Sequence, residues 1–359
     1  MTNIALIIGT RPQIIKSAPI ISRAKEYKDI NLSIIHTGQH YDYEMSKIFF
    51  NELNLPNPNL NLNVGSGTHI FQITNIMQRV EQYLPELKPD LVLVPGDTNS
   101  TLGGALSAIK MGIPIAHVES GARSGDMSMP EEINRILVDH IATKLFTVTS
   151  MCNRNLQNEG INSSKIHLVG DTMYENILNH KEDIIKIDIN KYDIIAKKYL
   201  FLTLHREENT SNIERLKTIL YAIASSDYKV VFPCHPRTKK VLEDIGLFEF
   251  FSDRFIMLNP LPYYDTLALA WNANIVLTDS GGLQKEAYWL KTPCITLRDN
   301  TEWMETMYAG ANQLVGANKE RIISAIHSAL SFGFQDCGTD KSLLIPDASK
   351  RILDVLVNI

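Results

Sequence analysis

Short apolar runs alternate with segments of helical period along nearly the whole chain. Ile4-Ala5-Leu6-Ile7-Ile8 predicts a buried strand, and Pro12 to Tyr27 predicts a helix with Ile14, Ile15, Ala18 and Ile21 on one broad face. Pro19 lies inside that helix and is expected to kink it or remove a hydrogen bond. Leu32 to His36 reads as a strand and Tyr43 to Leu53 as a helix. A buried strand at Leu91 to Val94, a helix at Thr98 to Lys110 and a strand at Ile113 to Val118 follow. A helix from Pro130 to Thr143 and a strand at Leu145 to Val148 continue the rhythm. It pauses over Ile184 to Tyr199, a charged stretch without Gly or Pro that is compatible with helix. Strands resume at Tyr199 to Leu204, Lys229 to Phe232, Phe255 to Leu258, Ile275 to Leu277 and Pro293 to Leu297. Strands alternating with helices predict parallel sheets with right-handed crossovers. The expected fold is α/β, with two Rossmann-like doubly wound domains and a cleft between them. The domains are expected over 1–171 plus 346–359 and over 172–345.

In open α/β sheets ligands bind beyond the carboxyl ends of the strands. Polar clusters stand at six such ends, three per half. The first half carries Gly9-Thr10-Arg11-Pro12, Gly96-Asp97-Thr98 and His117-Val118-Glu119-Ser120-Gly121. The second carries His205-Arg206-Glu207-Glu208-Asn209, Pro233-Cys234-His235-Pro236-Arg237 and Asp279-Ser280-Gly281-Gly282.

Composition narrows the function classes. The 359 residues are 44% hydrophobic and 21% charged, an ordinary globular balance. With 35 basic and 40 acidic residues the formal net charge is -5, so a nucleic-acid partner is not expected. No apolar run is long enough for a membrane span, and the four separated cysteines fit a reducing cytoplasm. There is no HExxH, no Walker A sequence and no GxGxxG after the first strand. Neither a metal nor a nicotinamide cofactor is expected.

Each cluster has a chemical reading and a plainer one. Ser280-Gly281-Gly282 before a helix reads as a diphosphate cradle, or as an ordinary N-cap with a tight turn. Glu286 reads as a ribose-binding carboxylate or as a surface charge. Arg11 opposes the dipole of the helix it opens, a local violation expected at a functional site. Lys16 is a cleft cation or a solvated lysine. Asp97, Glu119 and Glu131 form a set of carboxylates suited to general acid–base work. Asp97 has the alternative of capping the next helix, and Glu131 that of a capping box with Ser128. Glu119 follows a buried strand and has no plain alternative. His205 is suited to proton transfer or to a leaving phosphate.

In order, these clusters resemble the non-hydrolysing UDP-N-acetylglucosamine 2-epimerases. The resemblance runs from Gly9 to about Gly316. It rests on Gly9-Thr10-Arg11-Pro12 with Lys16, Thr37-Gly38-Gln39-His40, Gly96-Asp97-Thr98 and His117-Val118-Glu119-Ser120-Gly121 with Arg123. Met129-Pro130-Glu131-Glu132-Ile133-Asn134-Arg135, Leu204-His205-Arg206-Glu207-Glu208-Asn209, Asp279-Ser280-Gly281-Gly282 and Arg298-Asp299-Asn300-Thr301-Glu302 complete it. It implies the glycosyltransferase-B architecture, with a last helix, Ala348 to Asn358, crossing back to the first domain. It implies an isomerase that inverts C2 of a UDP-sugar by expelling UDP and adding it back through a glycal. Asp97, Glu119, Glu131 and His205 would be catalytic. Arg11, Lys16, Arg135, Ser280, Gly281, Gly282 and Glu286 would bind substrate. A homodimer in the cytoplasm, serving surface polysaccharide, is the implied setting.

Some positions depart from the family pattern. Gln13 replaces a common Glu, and Tyr263 or Tyr264 would have to substitute for an aromatic near Thr266. The Gly-rich segment before the last helix is not recognisable in Ser342 to Ser349. Gln39-His40 matches the start of a regulatory UDP-sugar site, but Tyr41-Asp42 and Ile76 do not. Thr301-Glu302-Trp303-Met304-Glu305-Thr306 resembles a branch acting on diacetamido-glucuronate nucleotides. The competing readings are that epimerase, a hydrolysing 2-epimerase, a glycosyltransferase of the same architecture, and a non-catalytic nucleotide-sugar binder.

Overall fold

The apolar runs become the strands of two parallel sheets in the computed structural model, which describes residues 1–39, 43–338 and 340–357. His40 and Tyr41-Asp42 of the regulatory-site comparison, and Asn358 of the last helix, lie outside the described residues. The chain divides into two compact units, Met1–Asn179 with Asp340–Ile359, and His180–Thr339.

In the first unit the strands are β1 (Thr2–Ile8), β2 (Ile30–His36), β3 (Leu60–Asn61), β4 (Leu91–Pro95), β5 (Ile115–Ser120), β6 (Lys144–Thr147) and β7 (Ile166–Leu168). They lie in the order β3-β2-β1-β4-β5-β6-β7, all parallel. The order reverses between β1 and β4, the switch point at which doubly wound sheets take ligands. Ala5, Ile7, Val92 and Val94 pack with Ile76, Val80 and Leu84 in one continuous core. Each such Val, Leu or Ile side chain contributes roughly 1.5–3 kcal/mol on burial.

The second unit holds β8 (Tyr199–Thr203), β9 (Lys229–Pro233), β10 (Phe255–Leu258), β11 (Ile275–Thr278), β12 (Cys294–Thr296) and β13 (Asn312–Leu314). Their order is β10-β9-β8-β11-β12-β13, again parallel and reversing where β8 meets β11. Leu200, Leu202, Ile275 and Leu277 anchor this core against Leu216, Ile219 and Ile223. These are the two Rossmann-like units of the expected α/β class.

Helix Arg11–Ala24 runs through the buried Pro19, which has no N–H and so gives up one helical hydrogen bond, as expected. Three features differ from the sequence reading. One is helix His69–Leu87, to which the sequence reading assigns no element. It buries Gln72, Ile76, Val80 and Leu84 at a spacing of four, and Thr68 caps it by accepting from the Phe71 N–H. The stretch 184–199 is not one helix. It holds only the end of helix Lys181–Lys186 and the 3-10 turn Ile189–Tyr192, and Asp193 and Lys197 take positive φ, which no helix allows. Helix Thr172–Asn179, placed beyond the boundary by the sequence reading, packs in the first unit. There Glu175 accepts from Arg23 and from the N–H and hydroxyl of Ser349. Ser349 lies in the first turn of helix Ala348–Leu356, which belongs to the same unit.

Candidate active site

The carboxyl ends of β1, β4 and β5 converge on Lys16. This lysine lies one turn into helix Arg11–Ala24, and its Nζ stands 2.6 Å from Glu119 Oε1 with both side chains buried. A solvated lysine is therefore ruled out. Gly96, at the end of β4, has φ +68°, and a Cβ there would sit 3.2 Å from Lys16 Nζ. Glycine takes this φ without strain and leaves the ammonium its room.

Glu119 is held in an unusual way. The pairing of β5 with β6 slips between Val118 and Ser120, and Glu119 takes a φ of +68°. A non-glycine residue in the left-handed region costs roughly 1–3 kcal/mol. Such bulges re-aim a side chain, often beside a functional site. Here the bulge breaks the strand alternation and turns the carboxylate onto Lys16.

Asp97 is fixed from helix Pro130–Ile141. Arg135 Nη2 donates to Asp97 Oδ2 at 2.6 Å, and Asn134 donates to the Asp97 carbonyl at 2.8 Å. Arg135 is gripped on its other side by Glu132, whose carboxylate also accepts from the Ser124 and Gly125 N–H groups. The capping alternatives for this set fail. Thr98 caps the helix after β4 with a reciprocal bond to Thr101, so Asp97 is not the cap. Helix Pro130–Ile141 starts after Met129, with no side-chain cap, so Ser128 and Glu131 form no capping box. Glu131 is half-buried in the first turn of the helix that carries Arg135.

Arg11 packs its guanidinium over Phe49, 4.6 Å from the ring centroid. Gln13 accepts from the Gly9 N–H and donates to the Pro95 carbonyl, tying β1 to β4 across the switch point. Only the amide can make both bonds, which gives the departure from Glu a physical reason. His117 holds the same region together. Its ring nitrogens face Asp139 at 2.6 Å and the Gly96 carbonyl at 2.7 Å. Burial disfavours the Asp139 charge, but His117 and Arg123 outweigh it and keep its carboxyl below the ordinary carboxylate range.

The second unit gathers its site around Asp279, which is fully buried after β11. Its oxygens accept from the His205 and Arg206 N–H groups at 2.9 and 2.8 Å and from Asn209 Nδ2 at 3.1 Å. His205 Nδ1 lies 3.2 Å away, so the carboxylate orients the ring. Burial raises the Asp279 pKa, yet His205 and the two backbone donors together bring it below the ordinary value.

Ser280 caps helix Gly281–Trp289, accepting from the Leu283 N–H. The plain capping reading thus holds, and it is compatible with a cradle, because the first N–H groups of a helix have no intrahelical partner. A Cβ on Gly281 would stand 2.3 Å from Glu302 Oε1, and Glu302 is locked by Arg298 at 2.9 Å. Glu286 is buried and accepts from Tyr263 at 2.8 Å, so it is not a surface charge. Sequence reasoning missed Glu132, Asp139 and the role of Asp279. Among the described residues no group of three or more His, Cys, Asp or Glu could hold a metal, and no helix is long and apolar enough to cross a membrane.

A model of the family described as UDP-N-acetylglucosamine 2-epimerase matches residues 22–357. This chain belongs to the UDP-N-acetylglucosamine 2-epimerase family. The family consists of isomerases. The chain is 52% identical over 330 residues to a UDP-N-acetylglucosamine 2-epimerase homolog of Methanococcus maripaludis, covering 90% of this chain and 91% of that protein. It is 41% identical over 342 residues to the UDP-2,3-diacetamido-2,3-dideoxy-D-glucuronate 2-epimerase of Pseudomonas aeruginosa, covering 94% of each. The crystal structure of the Methanocaldococcus jannaschii UDP-GlcNAc 2-epimerase with UDP-GlcNAc and UDP matches at a TM-score of 0.92 and 44% identity, over 100% of both chains.

Proposed function

We propose that this chain interconverts UDP-N-acetylglucosamine and UDP-N-acetylmannosamine. The observation that carries the reading is Glu119, re-aimed by a strand bulge and held against Lys16 beside Asp97 and Arg135. The C2 proton is not next to a carbonyl, so simple enolisation does not remove it. In the proposed route a base takes the C2 proton, the C1–O bond breaks, and the electron pair leaves with UDP. A glycal remains. UDP then adds back at C1 while a proton reaches C2 from the opposite face.

That sequence needs acid–base groups for both faces and donors for the departing diphosphate. Asp97, Glu119 and Glu131 are proposed as the acid–base set. Lys16, Arg11 and Arg135 are proposed to line the substrate site. In the second unit Ser280, Gly281 and Gly282 are proposed to bind the diphosphate, His205 to assist its departure, and Glu286 to bind the ribose. No metal or nicotinamide enters this route. The proposed roles divide by unit: acid–base residues in Met1–Asn179 with Asp340–Ile359, and UDP binding in His180–Thr339. A cytoplasmic homodimer supplying surface polysaccharide completes the proposal.

The Pseudomonas relative supports a second reading, a diacetamido-glucuronate nucleotide as substrate. One experiment tests both. Purified protein is incubated in D₂O with each UDP-sugar, and products are followed by NMR. Deuterium at C2 of intact UDP-N-acetylglucosamine and UDP-N-acetylmannosamine is the expected outcome. Exchange only with the diacetamido-glucuronate nucleotide selects the second reading. Release of free sugar indicates a hydrolysing enzyme, and transfer only to an added acceptor a glycosyltransferase. Binding without turnover would overturn the catalytic assignment.

A further inference from the structure

Tyr263 opens helix Tyr263–Asn272 and Glu286 lies on helix Gly281–Trp289, and both side chains are buried. The phenol donates to Glu286 Oε1 at 2.8 Å. A carboxylate accepts up to about four hydrogen bonds, so one phenol donor occupies a single acceptor position. A glutamate side chain has three rotatable bonds, and a fixed donor on a neighbouring helix restricts them.

The helix that carries Tyr263 is itself tied down in its first turn. Asp265 accepts from Tyr192 OH at 2.6 Å and pairs with Lys191, and the Tyr264 ring centroid lies 5.1 Å from that of His180. Burial and the Asp265 hydrogen bond push the Tyr192 phenol up to about 12, so it remains a donor at neutral pH. These partners belong to 180–192, the segment by which the chain enters the second unit.

We propose that Tyr263 is a positioning residue that fixes Glu286 for the ribose hydroxyls of the nucleotide, with Asp265 anchoring its helix to the entering segment. This rests on the reading of Glu286 as a ribose-binding carboxylate. A Tyr263–Glu286 pair serving only the core would support stability and leave ribose recognition alone.

The test is calorimetric binding of UDP and of 2′-deoxy-UDP to wild type, Tyr263→Phe, Glu286→Gln and Asp265→Asn. A hydrogen bond to a charged group predicts that wild type prefers UDP by about tenfold or more. Glu286→Gln is expected to reduce that preference to a few-fold. Tyr263→Phe, which keeps the ring, is expected to reduce it by about three- to tenfold, raising KM with kcat nearly unchanged. Asp265→Asn is expected to act in the same direction and less strongly. If Glu286→Gln keeps the wild-type preference, the ribose reading falls and the proposal with it. If Glu286→Gln loses the preference while Tyr263→Phe keeps it, with or without a lower Tm, Glu286 stands and the role of Tyr263 is overturned. An unchanged preference in Asp265→Asn overturns the anchoring role alone.

Discussion

Glu119 concentrates the residue-scale argument. Its place after a buried strand makes it suspicious in the sequence, but the bulge and the positive φ leave no trace in an apolar–polar pattern. Strand alternation predicts side-chain faces only while the ladder is regular. Asp97 and Glu131 show the converse. Their capping alternatives were open in the sequence and close only when the helix starts are seen, at Asn99 and Pro130. Glu132 was hidden because it is adjacent to Glu131 and nothing local tells which of two neighbouring carboxylates points inward. Glu119→Gln is expected to lower turnover by roughly 10²-fold or more, the scale of general acid–base catalysis, with UDP affinity little changed. Tm should fall as well, because the buried Lys16–Glu119 ion pair is lost. The deciding measurement is therefore turnover per folded molecule, and near-normal turnover would remove Glu119 from the catalytic set.

Among the elements, helix Gly281–Trp289 makes the sharpest prediction. Its small first residues were legible as a helix start, and Ser280 does cap it. What the sequence did not reveal is the reason Gly281 is glycine. The space a side chain would need is filled by Glu302, which Arg298 holds, and both are buried. Gly281→Ala is expected to displace that carboxylate or the helix N-terminus, weakening UDP by about tenfold or more and lowering Tm by a few degrees. Ser280→Ala should cost less in stability, about 1 kcal/mol for a cap. Calorimetric UDP titration and thermal melts check both. Unchanged UDP affinity in Gly281→Ala would argue against the diphosphate cradle. The helix His69–Leu87 is legible by its period: Ile73, Ile76, Val80, Leu84 and Leu87 recur at spacings of three and four, with only Gln72 as a polar member of the buried stripe.

At the scale of the whole molecule, the two parallel sheets were legible because their central strands, β1, β4, β5, β8 and β11, are short and largely buried apolar runs, whereas β3, β7 and β13 are two or three residues long and partly exposed, and leave no such run. The order of those strands was not, since reversal at β1/β4 and at β8/β11 depends on crossovers that no local pattern encodes. Turnover is expected to survive exhaustive dialysis against EDTA and to need no nicotinamide, as the absent metal and dinucleotide motifs imply. Loss of activity restored by a divalent ion would contradict that. Acid stability follows from one buried carboxylate in each unit, Asp139 and Asp279, both with depressed pKa values. An unfolded aspartate titrates near 3.9. Above that pH both states carry the same charge here, so the stabilisation is fully present and flat with pH. Below it the unfolded chain takes up protons that the native carboxylates still refuse, and stability falls until the native groups titrate in turn. The sign is therefore loss on acidification, by up to about 1.4 kcal/mol per pH unit for each group. Urea unfolding between pH 3 and 6 should give a plateau and then this decline. Asp139→Asn and Asp279→Asn should each be less stable at neutral pH, yet lose less on acidification than wild type. A slope below pH 4 identical to wild type in both variants would show that other carboxylates govern the acid limb.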